Sequence, residues 1–441
     1  MARPGFGTDG VRGVANLELT AELATALGRA AASVLGAPAF VVGRDTRQSG
    51  TMLQAALSAG IASGGTDVID LGVLPTAGIA FSAEHLGLPG AMVSASHNPF
   101  ADNGIKFFDS SGVKLAPALE ARIEAALGMG APPGRVGSLD HCASAIDDYR
   151  RHLRDALEGR RLDGLRVVVD CAHGAASAIA PEVLADVGAS VEAICAEPDG
   201  TNINDGCGST APGRLCDEVV ARGADLGLAL DGDADRLVAV DHRGTVLDGD
   251  VLLAIFAIEL ARRGELTGNA VVVTVMTNLG FRRAMSRRGI AVYETPVGDR
   301  QVLAALDERG LALGGEQSGH IVFRRRATTG DGVLTGLLLA DTLVRSGRAL
   351  CELADGLVER VPQVLVNVAV REPGRLAGAQ TVWEAVAQIE AELGGEGRVL
   401  LRASGTEPLV RVMVEAPTPD VAADCARRLT KAVEGSLGGG G

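Results

Sequence analysis

Aromatic residues are scarce, with nine Phe, two Tyr and one Trp making up 3% of 441 residues. Cores therefore have to come from aliphatic strands and alanine-rich helices, and the 59 glycines imply tight turns and small-residue packing. Long apolar runs are also missing. The longest, 251–258 and 271–276, fall far short of the roughly 20 residues that span a bilayer. The opening Met1-Ala2-Arg3-Pro4 lacks the apolar region of a signal peptide. The expectation is a soluble, cytoplasmic protein with no membrane partner. Positive charge is in the minority: the formal net charge of −14 argues against a nucleic-acid surface. It does not exclude an anionic substrate, because arginines converging on a cleft set the local potential there. The seven cysteines (142, 171, 195, 207, 216, 351 and 425) are odd in number and never form a CxxC pair. That pattern fits reduced thiols better than a disulfide framework. Cys207 and Cys216 are close in sequence but have no metal-ligand neighbour there, so no zinc site is expected.

At roughly 100–200 residues per domain, the length calls for three or four domains. Apolar residues at 47% and charged residues at 22% are those of a globular enzyme. Short Val/Ile/Leu runs at 40–42, 91–93, 166–169, 226–230, 270–275 and 320–323 predict strands. Helix-length patterns at 20–35, 52–63, 176–187, 251–263 and 333–344 lie between them. This alternation predicts an α/β class with parallel sheets covered on both faces. Similar strand-then-loop openings at 41–45, 168–171 and 273–276 point to three related units. Gly/Pro-rich stretches near 128–137 and 361–363 read as linkers. Beyond Pro362 a strand at 364–370, a helix near 382–393, strands at 399–402 and 409–415 and a last helix predict a small α+β domain. The expected domains are 1–147, 148–247, 248–362 and 363–441.

Five segments could carry chemistry. Ser94-Ala95-Ser96-His97-Asn98-Pro99 follows an apolar run, at the strand end where α/β folds place ligands, yet locally it also reads as a capped turn. Asp231-Gly232-Asp233-Ala234-Asp235-Arg236 sets three carboxylates at alternate positions, where they repel one another unless a cation lies between them. All-oxygen ligation suits a hard ion such as magnesium. An EF-hand fails, because its glycine and glutamate positions hold Arg236 and His242, and an exposed acidic turn is the remaining alternative. Gly314–His320, with Glu316 and Ser318, could press polar groups onto a polyhydroxylated ligand or form a glycine-rich hairpin. Arg402-Ala403-Ser404-Gly405-Thr406, with Arg411 beyond it, is either a phosphate cradle or a hydroxyl-rich turn, and lacks the P-loop spacing. In Phe6–Gly13, Arg12 meets a phosphate or solvent, and nothing local decides between them.

Together, FGTDGVRG at 6–13, SASHNP at 94–99, DGDADR at 231–236, GEQSGH at 315–320 and RASGTEPLVRV at 402–412 resemble the α-D-phosphohexomutase superfamily in content, order and spacing. The resemblance covers essentially the whole chain. It is closest to the bacterial members that act on phosphoglucosamine, through the run at 94–108 and Gln317 in the sugar loop. The VGDR segment at 297–300 departs from the family in having Gln301, not an aromatic residue, after it.

The resemblance implies three α/β domains and a smaller fourth around a central cleft, with magnesium, a phosphorylated Ser96 and a sugar 1,6-bisphosphate as cofactor and intermediate. It assigns the phosphoryl carrier to Ser96 and the metal ligands to Asp231, Asp233, Asp235 and a phosphoserine oxygen. Arg12, Lys106 and Arg236 would neutralise charge on the transferring group. Lys106 and His320 become candidates for proton transfer, and His97 orients Ser96 or moves protons. Glu316 and Ser318 would hold sugar hydroxyls, while Arg402, Ser404, Gly405, Thr406 and Arg411 hold the idle phosphate. The implied activity is exchange between glucosamine 6- and 1-phosphate, feeding UDP-N-acetylglucosamine and cell-wall synthesis. Broader glucose/mannose specificity, a non-enzymatic sugar-phosphate sensor and a phosphatase-like hydrolase are the alternatives. The partner is a small phosphosugar, and a homodimer is left open.

Overall fold

The computed structural model describes residues 5–7, 9–130, 134–404 and 408–438. Among these residues the chain forms two compact units, one from residues 1–276 and 289–357 and the other from 277–288 and 358–441.

The larger unit contains three sheets. The first is seven-stranded: β1 (Phe6–Gly7), β2 (Gly10–Val14), β3 (Ala39–Arg44), β4 (Asp67–Val73), β5 (Gly90–Val93), β6 (Asp102–Phe108) and β7 (Leu139–His141), in the order β1-β2-β6-β5-β3-β4-β7. The second has β8 (Arg166–Asp170), β9 (Ser190–Ile194), β10 (Leu226–Leu230), β11 (Leu237–Asp241) and β12 (Val246–Leu247), in the order β12-β11-β10-β8-β9. The third has β13 (Ala270–Thr274), β14 (Ala291–Thr295), β15 (Leu313–Gly315) and β16 (Ile321–Phe323), in the order β14-β13-β15-β16.

One pattern generates all three. A parallel strand is followed by a helix, a second parallel strand, a second helix, a third parallel strand and an antiparallel return. The four core strands take the same order each time: β6-β5-β3-β4, β11-β10-β8-β9 and β16-β15-β13-β14. The openings at 41–45, 168–171 and 273–276 belong to the first strand of each repeat. The sheets are mixed and not purely parallel, because connections 94–101, 231–236 and 316–320 are shorter than the dozen or so residues a parallel crossover needs. These three hairpin connections are topologically equivalent, and each is one of the five sequence segments.

Aliphatic residues fill the cores, as the shortage of aromatics requires. Helices Ala21–Leu35 and Gln48–Ser63 cover one face of the first sheet with Leu23, Leu27, Leu53, Leu57 and Ile61. Thr20 caps the first of them by accepting from the Leu23 N–H. No helix among the described residues is long and apolar enough to cross a membrane.

The smaller unit is α+β. Strands β17 (Gln363–Ala369), β18 (Arg398–Ala403) and β19 (Leu409–Glu415) form an antiparallel sheet in the order β17-β19-β18. Helices Gln380–Leu393 and Pro419–Leu437 pack on it through Val382, Ile389, Leu429 and Val433. The short helix Leu279–Ser286 also belongs to this unit, although it follows β13 in the chain.

Candidate active site

Strand β5 is wholly buried and ends at Val93; three residues later Ser96 adopts a left-handed backbone with φ of 51°. Such a backbone is uncommon outside glycine and needs surrounding structure to hold it. The Ser96 side chain is buried, and its Oγ donates to Asp231 Oδ2 at 2.6 Å. His97 Nδ1 lies 3.3 Å from the same oxygen. Burial lowers the His97 pKa to about 4, helped by Arg236 and Arg12, so the ring is neutral at physiological pH.

Asp231, Asp233 and Asp235 occupy the connection between β10 and β11, and all three are buried. They can each offer an oxygen within 4.8 Å of the others. The strict register of the flanking strands, with Leu230 opposite Leu237, forces the six intervening residues into a tight loop. Gly232 is required there, because a Cβ would stand 2.6 Å from the Ser96 carbonyl oxygen. Oδ1 of Asp233 and Oδ1 of Asp235 are buried without a hydrogen-bond partner among the described residues. An all-oxygen set with unsatisfied buried lone pairs fits a hard divalent cation such as magnesium.

The first repeat supplies a counter-charge. Lys106 on β6 is fully buried and donates to Asp233 Oδ2 at 2.7 Å, with Asp235 at 3.8 Å and Asp9 at 3.9 Å. Burial opposes its charge, but Asp233, Asp9 and Asp235 outweigh that and raise its pKa, so it stays an ammonium. Thr76 donates to Asp233 Oδ2 at 2.6 Å. Burial pushes Asp231 well up, with Asp235 and Asp233 adding repulsion. Asp233 is also desolvated, yet Lys106 and Thr76 hold it low. Arg236 N–H donates to Asp231 Oδ1 at 3.2 Å, and its guanidinium stays charged against burial through Asp235, Asp231 and Glu316.

Arg12 on β2 pairs with Asp9, which also receives Lys114. Lys114 reaches Asp299 as well, and so ties the first repeat to the third. In the β15–β16 connection, Glu316 Oε1 accepts from Gly298 N–H at 3.0 Å, and Ser318 Oγ lies 3.4 Å from Glu316 Oε2. His320 is buried, and its Nε2 accepts from Gly330 N–H at 2.7 Å. That nitrogen is therefore occupied as an acceptor, which leaves only Nδ1 for proton transfer. Leu237 N–H donates to the Gly319 carbonyl at 3.0 Å, joining this loop to the strand after the aspartates.

In the smaller unit Arg402 on β18 stands directly opposite Arg411 on β19. Ser404 N–H closes the hairpin onto the Leu409 carbonyl at 2.9 Å. Gly405 and Thr406 lie outside the described residues.

Sequence reasoning missed Asp9, Thr76, Lys114 and Asp299, whose long-range partners are 97 to 185 positions away, beyond any spacing rule. Folding also gives Cys207 ligand-type neighbours that lie far from it in sequence: His173 and Cys195 offer atoms that lie with its sulfur within 4.8 Å. The connections that follow β8 and β9 converge there, a proximity that linear spacing cannot express. Burial pushes the Cys195 and Cys207 thiols up, and they hydrogen-bond to each other.

All four phosphoglucomutase/phosphomannomutase domain families match this chain: α/β/α domain I at residues 3–130, domain II at 147–244, domain III at 248–361 and the C-terminal domain at 365–432. The chain belongs to this family. Among its relatives, the phosphoglucosamine mutase of Streptomyces avermitilis is 52% identical over 98% of this chain and 99% of its own. That of Streptomyces coelicolor is 53% identical with the same coverage, and that of Desulforamulus reducens is 52% identical over 93% of this chain and 94% of its own. The fold recurs in solved structures. A phosphoglucomutase/phosphomannomutase family protein from Burkholderia thailandensis superposes with a TM-score of 0.81 at 24% identity, covering 98% of this chain and 97% of that one. The Aspergillus fumigatus N-acetylphosphoglucosamine mutase, solved with GlcNAc-6P and magnesium, gives 0.71 at 18% identity, covering 99% and 97%.

Proposed function

We propose that this chain interconverts glucosamine 6-phosphate and glucosamine 1-phosphate by passing a phosphoryl group through Ser96. The observation that carries this reading is the Ser96 Oγ, buried and 2.6 Å from a carboxylate of a three-aspartate cluster. A buried serine against three carboxylates and a lysine is a poor structural choice, and a sensible one for a phosphorylated residue facing a cation. The amino-sugar substrate is supported by the full-length relatives at 52–53% identity that carry that activity in their names.

Asp231, Asp233, Asp235 and an oxygen of phosphorylated Ser96 would hold magnesium, which supplies Lewis-acid polarisation of the phosphoryl group. The sugar O1 hydroxyl attacks the phosphorus on Ser96; the P–Oγ bond breaks, the O1 proton ends on the departing Ser96 Oγ, and a 1,6-bisphosphate forms. After this intermediate turns round, Ser96 Oγ attacks its 6-phosphorus as neutral His97 takes the serine proton through Nδ1, and the P–O6 bond breaks with that proton passing to the sugar O6. Lys106, held as an ammonium, acts as a fixed positive charge beside the transferring oxygens and not as a base. Arg12 and Arg236 add to that field. Glu316 and Ser318 bind sugar hydroxyls, with His320 orienting the same loop, while Arg402, Ser404, Gly405, Thr406 and Arg411 take a phosphate. The active form is a cytoplasmic enzyme, as a monomer or a homodimer.

Active protein should carry one phosphoryl group on Ser96 by intact mass. Ser96→Ala should lower turnover by at least about a thousandfold with the fold retained, as removal of a covalent nucleophile does. Full activity in that variant would sink the mechanism. Turnover on glucosamine 6-phosphate, glucose 1-phosphate and mannose 1-phosphate tests the substrate, and a preference for either hexose would replace the amino sugar. Steady release of inorganic phosphate would mark a hydrolase instead.

A further inference from the structure

Ser96 has its unusual backbone conformation for a reason that lies outside the five motifs. We infer that Arg47, seated on Asp45 and joined by Asn204, is a positioning clamp that fixes the left-handed turn at Ser96 and so aims its Oγ at the aspartate cluster. The inference rests on the reading of Ser96 as the phosphoryl carrier.

Arg47 is among the largest fully buried side chains in the protein. Its Nε donates to Asp45 Oδ2 at 2.9 Å, and its own backbone N–H donates to Asp45 Oδ1 at 3.0 Å. The two Nη groups donate only to backbone carbonyls of the loop after β5: Ser96 at 2.9 Å, Asn98 at 2.8 Å, Pro99, and Asp102 at 3.0 Å. One planar guanidinium thus receives four carbonyls from a seven-residue stretch, a task for which lysine has neither the fork nor the donors.

Asp45 holds the other side of the turn. Its Oδ2 accepts from Ser94 Oγ at 2.6 Å, and Ser94 Oγ in turn accepts from the Ser96 backbone N–H at 2.9 Å. The Ser96 peptide is therefore gripped at its N–H through Asp45–Ser94 and at its C=O through Arg47. Asn204, from the second repeat, donates through Nδ2 to the same Ser96 carbonyl at 2.9 Å and to Asn98 at 3.1 Å. Glycine at 232 leaves room for this approach, since a Cβ there would stand 2.8 Å from Asn204 Nδ2. Ser96 is thus held from its own repeat and from the repeat that carries the aspartates. None of the clamp residues touches Oγ, so their effect falls on aim and not on chemistry.

The test uses the full-length phosphorylated protein with glucosamine 6-phosphate. Arg47→Lys keeps the charge against Asp45 and removes the fork. Its kcat per phosphorylated, folded molecule should fall about 100-fold, the scale of a misplacement near 1 Å, while KM stays within about twofold. Asn204→Ala, at a partly exposed site, should lower kcat about tenfold with the same KM, the loss of roughly one well-placed hydrogen bond. Should Arg47→Lys not fold, the Asn204→Ala value alone decides. An unchanged kcat per phosphorylated molecule, or a loss confined to KM, overturns the clamp. Turnover that survives Ser96→Ala overturns the phosphoserine reading instead, whatever the clamp variants do.

Discussion

Asp231 and Asp233 are two positions apart in one loop, both buried, and their surroundings push them in opposite directions. Asp231 is driven up by burial and by its two neighbours, which favours its protonated form where no cation is bound. Asp233 has Lys106 at 2.7 Å and remains a carboxylate. Asparagine imitates a protonated aspartate in shape and neutrality, but it cannot balance a buried ammonium. Asp231→Asn should therefore change metal-free stability by less than about 1 kcal/mol, since little charge is removed. Asp233→Asn should cost about 3–5 kcal/mol, the toll of stranding a buried charge. Both should weaken Mg2+ or Mn2+ binding at least tenfold, because either removes one anionic ligand. Urea unfolding in EDTA and a metal titration of each variant check this. Equal stability losses in the two variants would refute the assignment of opposite charge states.

At the scale of elements, the sequence was a good guide to strands buried on both faces and a poor guide to edges. The runs at 226–230 and 40–42 are continuous aliphatic segments, and they lie in β10 and β3. By contrast β7 and β9 alternate or expose most of their side chains, and they form only because a parallel neighbour offers a ladder. The site loops were legible because each keeps its chemistry within six residues. The groups that complete the site were not: Thr76 meets Asp233 across 157 positions, and Arg47 meets Ser96 across 49. Helix Ala145–Asp155 shows the same limit. Its Tyr149 is fully buried and donates at 2.7 Å to Asp331 Oδ2, while Asp331 Oδ1 caps helix Gly332–Ser346 by accepting from Leu334 N–H. Burial, reinforced by Asp331, pushes the Tyr149 hydroxyl well above its ordinary value of 10. A raised folded-state pKa means that stability is complete below pH 10 and is lost as pH climbs above it, where the unfolded chain releases the proton first. Tyr149→Phe should cost about 1–2 kcal/mol at pH 7 for the lost charged-acceptor bond. It should also flatten the decline above pH 10. Denaturant midpoints of both proteins at pH 7 and pH 10.5 test this, and parallel declines would show that Tyr149 is not the alkaline-sensitive group.

For the whole molecule, the consequential feature is that helix Leu279–Ser286 follows β13 in the chain yet belongs to the smaller unit. The pin is Glu415, wholly buried at the end of β19. Its carboxylate accepts from Asn278 Nδ2 at 3.0 Å, from Leu279 N–H at 3.1 Å and from Arg398 Nε at 2.5 Å. Asn278 in turn caps the helix through Gly280 N–H at 2.9 Å and exchanges two hydrogen bonds with the Val361 backbone. One carboxylate therefore fastens the helix N-terminus, the entry to β17 and the strand β18 together. Glu415→Gln keeps the shape, can accept only through its amide oxygen, and removes a buried carboxylate from the Arg398 guanidinium. The expected cost is about 3–5 kcal/mol, charged to the smaller unit because every partner lies there. Since the two units are separate contact bodies, the loss should show as an earlier unfolding step and not as a uniform shift. Hydrogen exchange should quicken across 277–288 and 358–438, while β3, β8 and β10 keep their protection. If protection instead fell evenly over all four sheets, the two units would be a single cooperative body and Glu415 would be one more buried ion pair within it.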